Sequence, residues 1–434
     1  MKKILIITYY WPPAGGSGVQ RWLKFVKYLT RKNYHCIVYT PKNPETPVTD
    51  YSLIKDVPTT NFELIQSPIT EPYSLYKIFT GKSSKDKITV SFLNEKKQNI
   101  SLAEKLSKWI RGNFFIPDAK MLWIKPSVKL LSSFLKANKV DVIISTGPPH
   151  SLHIIALKLK QQFPHIKWIA DFRDPWTNID FLNELHLTSY ALQKHKNLEK
   201  KVVQTADKVI SVSPTLTKEL SALDPSNQEK FFTITNGFDD EDYLNIPPIE
   251  NTNKNFILTY AGLIPPNRNP IVLWKALKEL KNNNLLPQNF ILRLIGKADA
   301  SIMDTIKEYE LDNHVEKTDY LPHSEVLKKQ AESDALLLII NNAPNSKGIL
   351  TGKLFEYLAL QKPILAIGPT DGDAAKIIHQ THSGIIIDYD DVHAMKESLL
   401  KLFSHQITPP RKEDILPFSR KILTDELIKI IENI

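Results

Sequence analysis

The chain has 434 residues, 42% of them hydrophobic and 24% charged, which suits two or three packed domains and excludes a largely disordered chain. Its formal charge of +9 is uneven: residues 1–240 hold 34 Lys and Arg against 21 Asp and Glu, and the remainder 22 against 26. The single cysteine, Cys36, excludes an internal disulfide, and no apolar run approaches the roughly 18 residues that span a bilayer.

The apolar start, Met1–Ile7, ends at Tyr9-Tyr10-Trp11-Pro12-Pro13, too short for the apolar core of a secretion signal. Together with the lone cysteine this leads us to expect a cytoplasmic protein. Strands are expected at Ile4–Thr8, Ile37–Thr40, Phe62–Gln66, Val140–Ser145, Trp168–Ala170, Val209–Val212 and Phe232–Thr235. Between the first two, Val19, Trp22, Leu23, Val26 and Leu29 form one helical stripe. The polar, lysine-rich Gly81–Asn99 stretch reads as a flexible insertion, and Asn245-Ile246-Pro247-Pro248 opens a linker near 245–255.

The alternation then resumes, with strands at Phe256–Tyr260, Phe290–Ile295, Ala335–Ile340, Pro363–Ile367 and Ile385–Asp388 and helices such as Ile271–Lys281 and Asp373–Gln380. Two such series imply an α/β protein with two Rossmann-like, doubly wound parallel sheets, one over 1–245 and one over 250–417. A last helix, about 418–434, carries Ile422, Leu423, Leu427, Ile430 and Ile431 as a stripe that must be buried.

Ligands of such sheets lie beyond the carboxyl ends of the strands, so residues just after strands carry the most weight. After the first strand comes Gly15-Gly16-Ser17-Gly18, which lets backbone N–H groups approach an anion or simply makes a tight turn. Arg21 stands where a dinucleotide fingerprint needs its third glycine, so an NAD site is disfavoured. His150 follows Thr146-Gly147-Pro148-Pro149, placed either to meet a ligand or to cap the helix at Ser151. Asp171-Phe172-Arg173-Asp174-Pro175-Trp176 combines carboxylates, a guanidinium and an aromatic ring suited to a sugar, or else a buried Arg–Asp pair. Asp239-Asp240-Glu241-Asp242 reads as a capped turn rather than a metal site.

In the second series, Arg268 follows Gly262-Leu263-Ile264-Pro265-Pro266-Asn267 and precedes a helix, a good position for a diphosphate. Thr351-Gly352-Lys353-Leu354-Phe355-Glu356 opens another helix, with Lys353 and Glu356 one turn apart. Its N-terminus and Lys353 suit a phosphate and Glu356 suits a sugar diol, although the two could instead pair with each other. A P-loop does not fit, because only three residues separate Gly348 from Gly352 and Leu354 replaces the required Ser or Thr.

The order and spacing of these motifs resemble the GT-B glycosyltransferases of family 4 over essentially the whole chain. That resemblance implies two Rossmann-like domains facing a central cleft, the first for the acceptor and the second for a nucleotide-sugar, with the last helix crossing back to the first domain. It implies metal-independent transfer with retention of configuration and no cofactor beyond the nucleotide-sugar co-substrate. Under it, His150, Asp174, Arg268 and Lys353 are the expected catalytic residues. Gly16, Gly18, Gly262, Arg268, Thr351, Gly352, Lys353 and Glu356 would hold the nucleotide-sugar, and Gly16, Arg173 and Trp176 the acceptor.

Two positions depart from the family pattern: Gly348 stands where a first glutamate belongs, eight residues before Glu356, and Leu263 replaces an arginine. A nucleotide-sugar epimerase of the same fold and a non-catalytic member of a polysaccharide assembly complex are the alternative readings. The basic, aromatic segment 101–139, with Lys120, Lys125 and Lys129, suggests an anionic membrane surface and a lipid-linked acceptor at the inner face of a membrane. The alternative for that segment is a solvated helical face. Nucleic acid is not an expected partner, since no recognition motif accompanies the charge.

Overall fold

The computed structural model describes residues 1–46, 48–71, 102–179, 182, 185–244, 255–319 and 321–434. The expected insertion at Gly81–Asn99 lies outside the described residues, as does the expected linker apart from Asn255. Two compact units emerge: the first runs to Thr235 and takes back Arg420–Ile434, and the second spans Asn236–Ser419. The change of unit therefore falls before residue 245. Phe238 explains the difference, because it is buried among Leu354, Phe355 and Phe418, and its N–H donates to the Phe418 carbonyl at 3.1 Å.

In the first unit, β1 (Lys3–Ile7), β2 (His35–Pro41), β3 (Phe62–Ser67), β4 (Val142–Gly147), β5 (Lys167–Phe172), β6 (Lys208–Ser211) and β7 (Phe231–Thr233) form one parallel sheet. Its order is β3-β2-β1-β4-β5-β6-β7. Strand side chains alternate between faces, so Leu5 and Ile7 enter one core while Ile4 and Ile6 enter the other. That second core also receives the stripe of the Ser17–Arg31 helix (Val19, Trp22, Leu23, Val26, Leu29) and Leu423, Leu427, Ile430 and Ile431 of the Arg420–Glu432 helix. The last helix thus packs within the first unit.

The second unit repeats the plan with β8 (Phe256–Ala261), β9 (Phe290–Ile295), β10 (Val315–Thr318), β11 (Ala335–Ile339), β12 (Ile364–Ile367) and β13 (Gly384–Ile387), ordered β10-β9-β8-β11-β12-β13. Sequence reading misses β10, whose Val-Glu-Lys-Thr has one apolar residue. It is an edge strand paired only with β9, and charged edges discourage pairing with other chains. In both sheets the strand order reverses at one point, between β1 and β4 and between β8 and β11. The loops leaving those strands diverge there and open a crevice for a ligand.

Candidate functional site

The second unit's crevice is lined by residues that leave β8 and β11. The Tyr260 side chain, at the end of β8, is fully buried, and its hydroxyl donates to the Leu263 carbonyl at 2.9 Å. The same oxygen accepts from the Lys353 ammonium at 2.9 Å and from Arg268 Nη1 at 3.4 Å. Lys353 also lies 4.3 Å above the Tyr260 ring, a cation–π contact. Burial opposes ionisation of this phenol, but the Lys353 and Arg268 charges outweigh it and set its pKa below the ordinary value. Two cations from distant parts of the sequence therefore share one oxygen.

Arg268 is held further by Nε donating to Asn341 Oδ1 at 2.6 Å, and Asn341 in turn accepts at its carbonyl from the Tyr389 hydroxyl at 2.8 Å. Gly262 makes the close approach of Lys353 possible. Its φ is +126°, and a Cβ there would lie 2.5 Å from Lys353 Nζ. Lys353 occupies the space beside residue 262, next to the position where Leu263 replaces an arginine. Thr351 stands at the N-cap of the Gly352–Ala359 helix, yet its buried hydroxyl has no hydrogen-bond partner among the described residues. Glu356, one turn into the helix, is half-buried beside Tyr243, whose phenol is pushed well up by burial and then by the Glu356 charge. Gly348 ends a short 3-10 turn, Ser346–Gly348.

The first unit's crevice differs more from expectation. Gly16, with φ +90°, is the N-cap of the Ser17–Arg31 helix. Arg173 turns inward: Nη1 donates to the Gly18 carbonyl at 3.1 Å and Nη2 to the Pro148 carbonyl. It staples the start of the Ser17–Arg31 helix to the loop after β4. The Trp176 expectation is corrected, since at 2% exposure it offers no open platform for a sugar. Its ring stacks on His150 at 4.5 Å and its N–H donates to His195 Nδ1 at 3.1 Å. Asp171 pairs with Arg21 at 2.8 Å, fully buried, and also accepts from Trp22 Nε1 and Thr146 Oγ1, so it is a structural anchor of the loop. Asp174 alone of the cluster is exposed.

His150 does not cap its helix through its ring; Asp118 does so, accepting from the Ser151 N–H at 2.8 Å and the Ser151 hydroxyl at 2.7 Å. Among the described residues the buried Nδ1 of His150 has no hydrogen-bond partner, nor has Nε2 of the neighbouring His153. Burial, then the nearby His153 and Arg173 charges, holds the His150 pKa well below its usual range; burial sends His153 to about 3. Both rings are therefore neutral at physiological pH. Sequence reading missed Tyr260, Asn341, Tyr243 and Asp118. Tyr260 and Asn341 border strand ends, which was a usable signal, whereas Asp118 and Tyr243 reach their sites only through folding.

Within the basic segment, Lys120 is corrected as well. It is buried, paired with Glu71 at 2.8 Å and stacked over Tyr9, while Trp123 is fully buried against Tyr39. Neither can meet a membrane. Lys125 and Lys129 are exposed.

Residues 244–415, all within the second unit, match the model of the family described as glycosyl transferases group 1. No curated protein matches the chain. Solved structures with the same fold include a glycosyltransferase from Rickettsia africae ESF-5, 15% identical with a TM-score of 0.64, covering 100% of this chain and 98% of that one. Sucrose-phosphate synthase from Thermosynechococcus elongatus is 14% identical with a TM-score of 0.60, covering 100% and 99%. HepE from Anabaena, solved in complex with UDP, is 12% identical with a TM-score of 0.60, covering 100% of both chains. The chain has the α/β GT-B fold, and its residues 244–415 match a glycosyl transferase group 1 domain.

Proposed function

We propose that the chain moves a sugar from a nucleoside-diphosphate sugar, held by the second unit, to an acceptor hydroxyl, with retention of configuration as in the family 4 enzymes it resembles. The observation that carries this reading is the convergence of Lys353 and Arg268 on the Tyr260 hydroxyl, beside the start of the Gly352–Ala359 helix. Two cations and a helix N-terminus suit a diphosphate, and Glu356 on the next turn suits the ribose hydroxyls.

As the bond from the sugar's anomeric carbon to the diphosphate oxygen breaks, its electron pair goes to the diphosphate. The acceptor oxygen forms the new bond on the same face, and its proton passes to the leaving diphosphate. Lys353, Arg268 and the helix N–H groups stabilise the charge that develops there, an effect worth about 3 kcal/mol per donor. Lys353 takes the place of the missing arginine at 263. In the first unit, a neutral His150 donates a hydrogen bond to the transferred sugar and the exposed Asp174 meets the acceptor. The acceptor is a lipid-linked or cell-surface polysaccharide intermediate, met at the inner face of a membrane.

The test is a panel of nucleotide-sugars, uridine donors first because HepE is solved with UDP, with free nucleotide measured with and without acceptor. Release that requires acceptor supports transfer. Sugar interconversion without acceptor indicates an epimerase instead, and tight nucleotide binding without turnover refutes catalysis.

A further inference from the structure

The Leu102–Phe114 helix leaves a run of large apolar side chains in solvent. Leu106 is 57% exposed, Trp109 37%, Ile110 39% and Phe114 65%, and their spacing places them on one face. Leu122, 50% exposed, follows eight residues after Phe114 and three before Lys125. Lys125 opens a groove of about 530 Å³ between the Ile124–Ala137 and Ser151–Gln162 helices. Lys125, Lys129, Lys136 and Lys158 line it, all exposed, and among the described residues no carboxylate does. Scattered exposed apolar residues are ordinary, but a helical stripe that the chain joins through Leu122 to a lysine-lined groove is the pattern of a surface that dips into a bilayer.

We propose that this face docks on a bilayer containing anionic lipid, the Leu106–Phe114 stripe entering the acyl boundary and the lysine groove taking phosphate head groups. The occupant follows from both halves together. A free polyanion explains four lysines but not four apolar side chains, and an apolar protein partner explains the reverse. A Trp on the inserting face suits the depth at which indole rings settle. The stripe is also tied to the first unit's crevice. Asp118, four residues beyond Phe114, caps the helix that begins next to His150. Resting on the proposed function, this gives a lipid-linked acceptor a reason to reach that crevice: its anchor stays in the bilayer while its head group meets the strand ends.

The experiment is sedimentation of the full chain with vesicles of equal parts phosphatidylglycerol and phosphatidylcholine, against vesicles of phosphatidylcholine alone. Wild type should sediment with the anionic vesicles only. Each lysine near such a surface contributes roughly fivefold in partitioning, so Lys129→Gln with Lys158→Gln should weaken binding about 25-fold. Leu106→Ser with Phe114→Ser should abolish it. Lys353→Ala should sediment as wild type does. All four surface residues are exposed, and an unchanged melting curve verifies that the variants fold. Nucleotide release with a water-soluble acceptor should be untouched in the lysine and apolar surface variants, so a failed docking surface is distinguishable from a failed glycosyltransferase. The proposal is overturned if wild type ignores both vesicles, if it binds neutral vesicles equally well, or if the lysine variant sediments unchanged. Displacement by inorganic pyrophosphate while the apolar variant still binds would also overturn it, assigning the groove to a free anion.

Discussion

Gly262→Ala tests the cation arrangement most directly, because the perturbation is one methyl group at a known place. That methyl would lie 2.5 Å from Lys353 Nζ and 2.7 Å from Cε, far inside contact distance. Lys353 would have to leave the Tyr260 ring and hydroxyl, losing a charged hydrogen bond and a cation–π contact together worth about 2–4 kcal/mol. The φ of +126° adds about 1–3 kcal/mol of backbone strain for alanine. A Tm drop on the order of 10 °C is expected by differential scanning calorimetry. For turnover, displacing one cation from the developing diphosphate charge should cost about 3 kcal/mol, roughly a hundredfold in kcat by nucleotide release. Lys353→Ala alone should lose a similar factor. The double variant should turn over no more slowly than Lys353→Ala, because the methyl then has nothing to displace. Losses that multiply in the double variant, or normal turnover in Gly262→Ala, would refute the reasoning.

Three further outcomes follow from the same geometry. Glu356→Ala should weaken nucleotide binding, read by calorimetric titration, about tenfold or more while changing kcat less, and unchanged affinity would remove Glu356 from the ribose. Tyr260→Phe should remove from an alkaline absorbance titration a phenol that ionises below the ordinary tyrosine range, and should raise KM for the donor as Lys353 and Arg268 lose their shared acceptor. Because His153 is held neutral when folded, to about 3, while an unfolded histidine takes up a proton near 6.5, the unfolded chain binds the extra proton between those values. Stability should therefore be complete above about pH 6.5 and fall by about 1.4 kcal/mol per pH unit below it for this one group. His153→Gln should flatten that acid slope in urea melts, and an unchanged slope would contradict the burial argument.

Much of the fold is local in origin, and that part can be read directly. Apolar runs such as Ile4–Ile7 and Leu336–Ile339 must be strands buried on both faces, and the Val19–Leu29 stripe must be a helix on a sheet. Only a strand without such a run, β10, escapes. The second unit's crevice was legible for the same reason: Gly262, Arg268, Lys353 and Glu356 each stand beside a strand end or a helix start, and the parallel alternation brings such positions together. The first unit's crevice was less so. From sequence, Arg173 and Trp176 look like groups offered to a ligand, and Lys120 like a surface charge.

Sequence by itself determined the two α/β series, the strand ends where ligands belong and the residue types gathered there. Tertiary structure decided which of those side chains face outward. Arg173 turned to two backbone carbonyls, Trp176 went under His150 and Lys120 paired with Glu71. It also supplied Tyr260 as the oxygen on which Lys353 and Arg268 meet. The physical reason is one of range. Backbone periodicity is set by neighbours a few residues away, whereas a buried charge or ring must find a partner wherever the chain returns, and that partner stands at no fixed spacing.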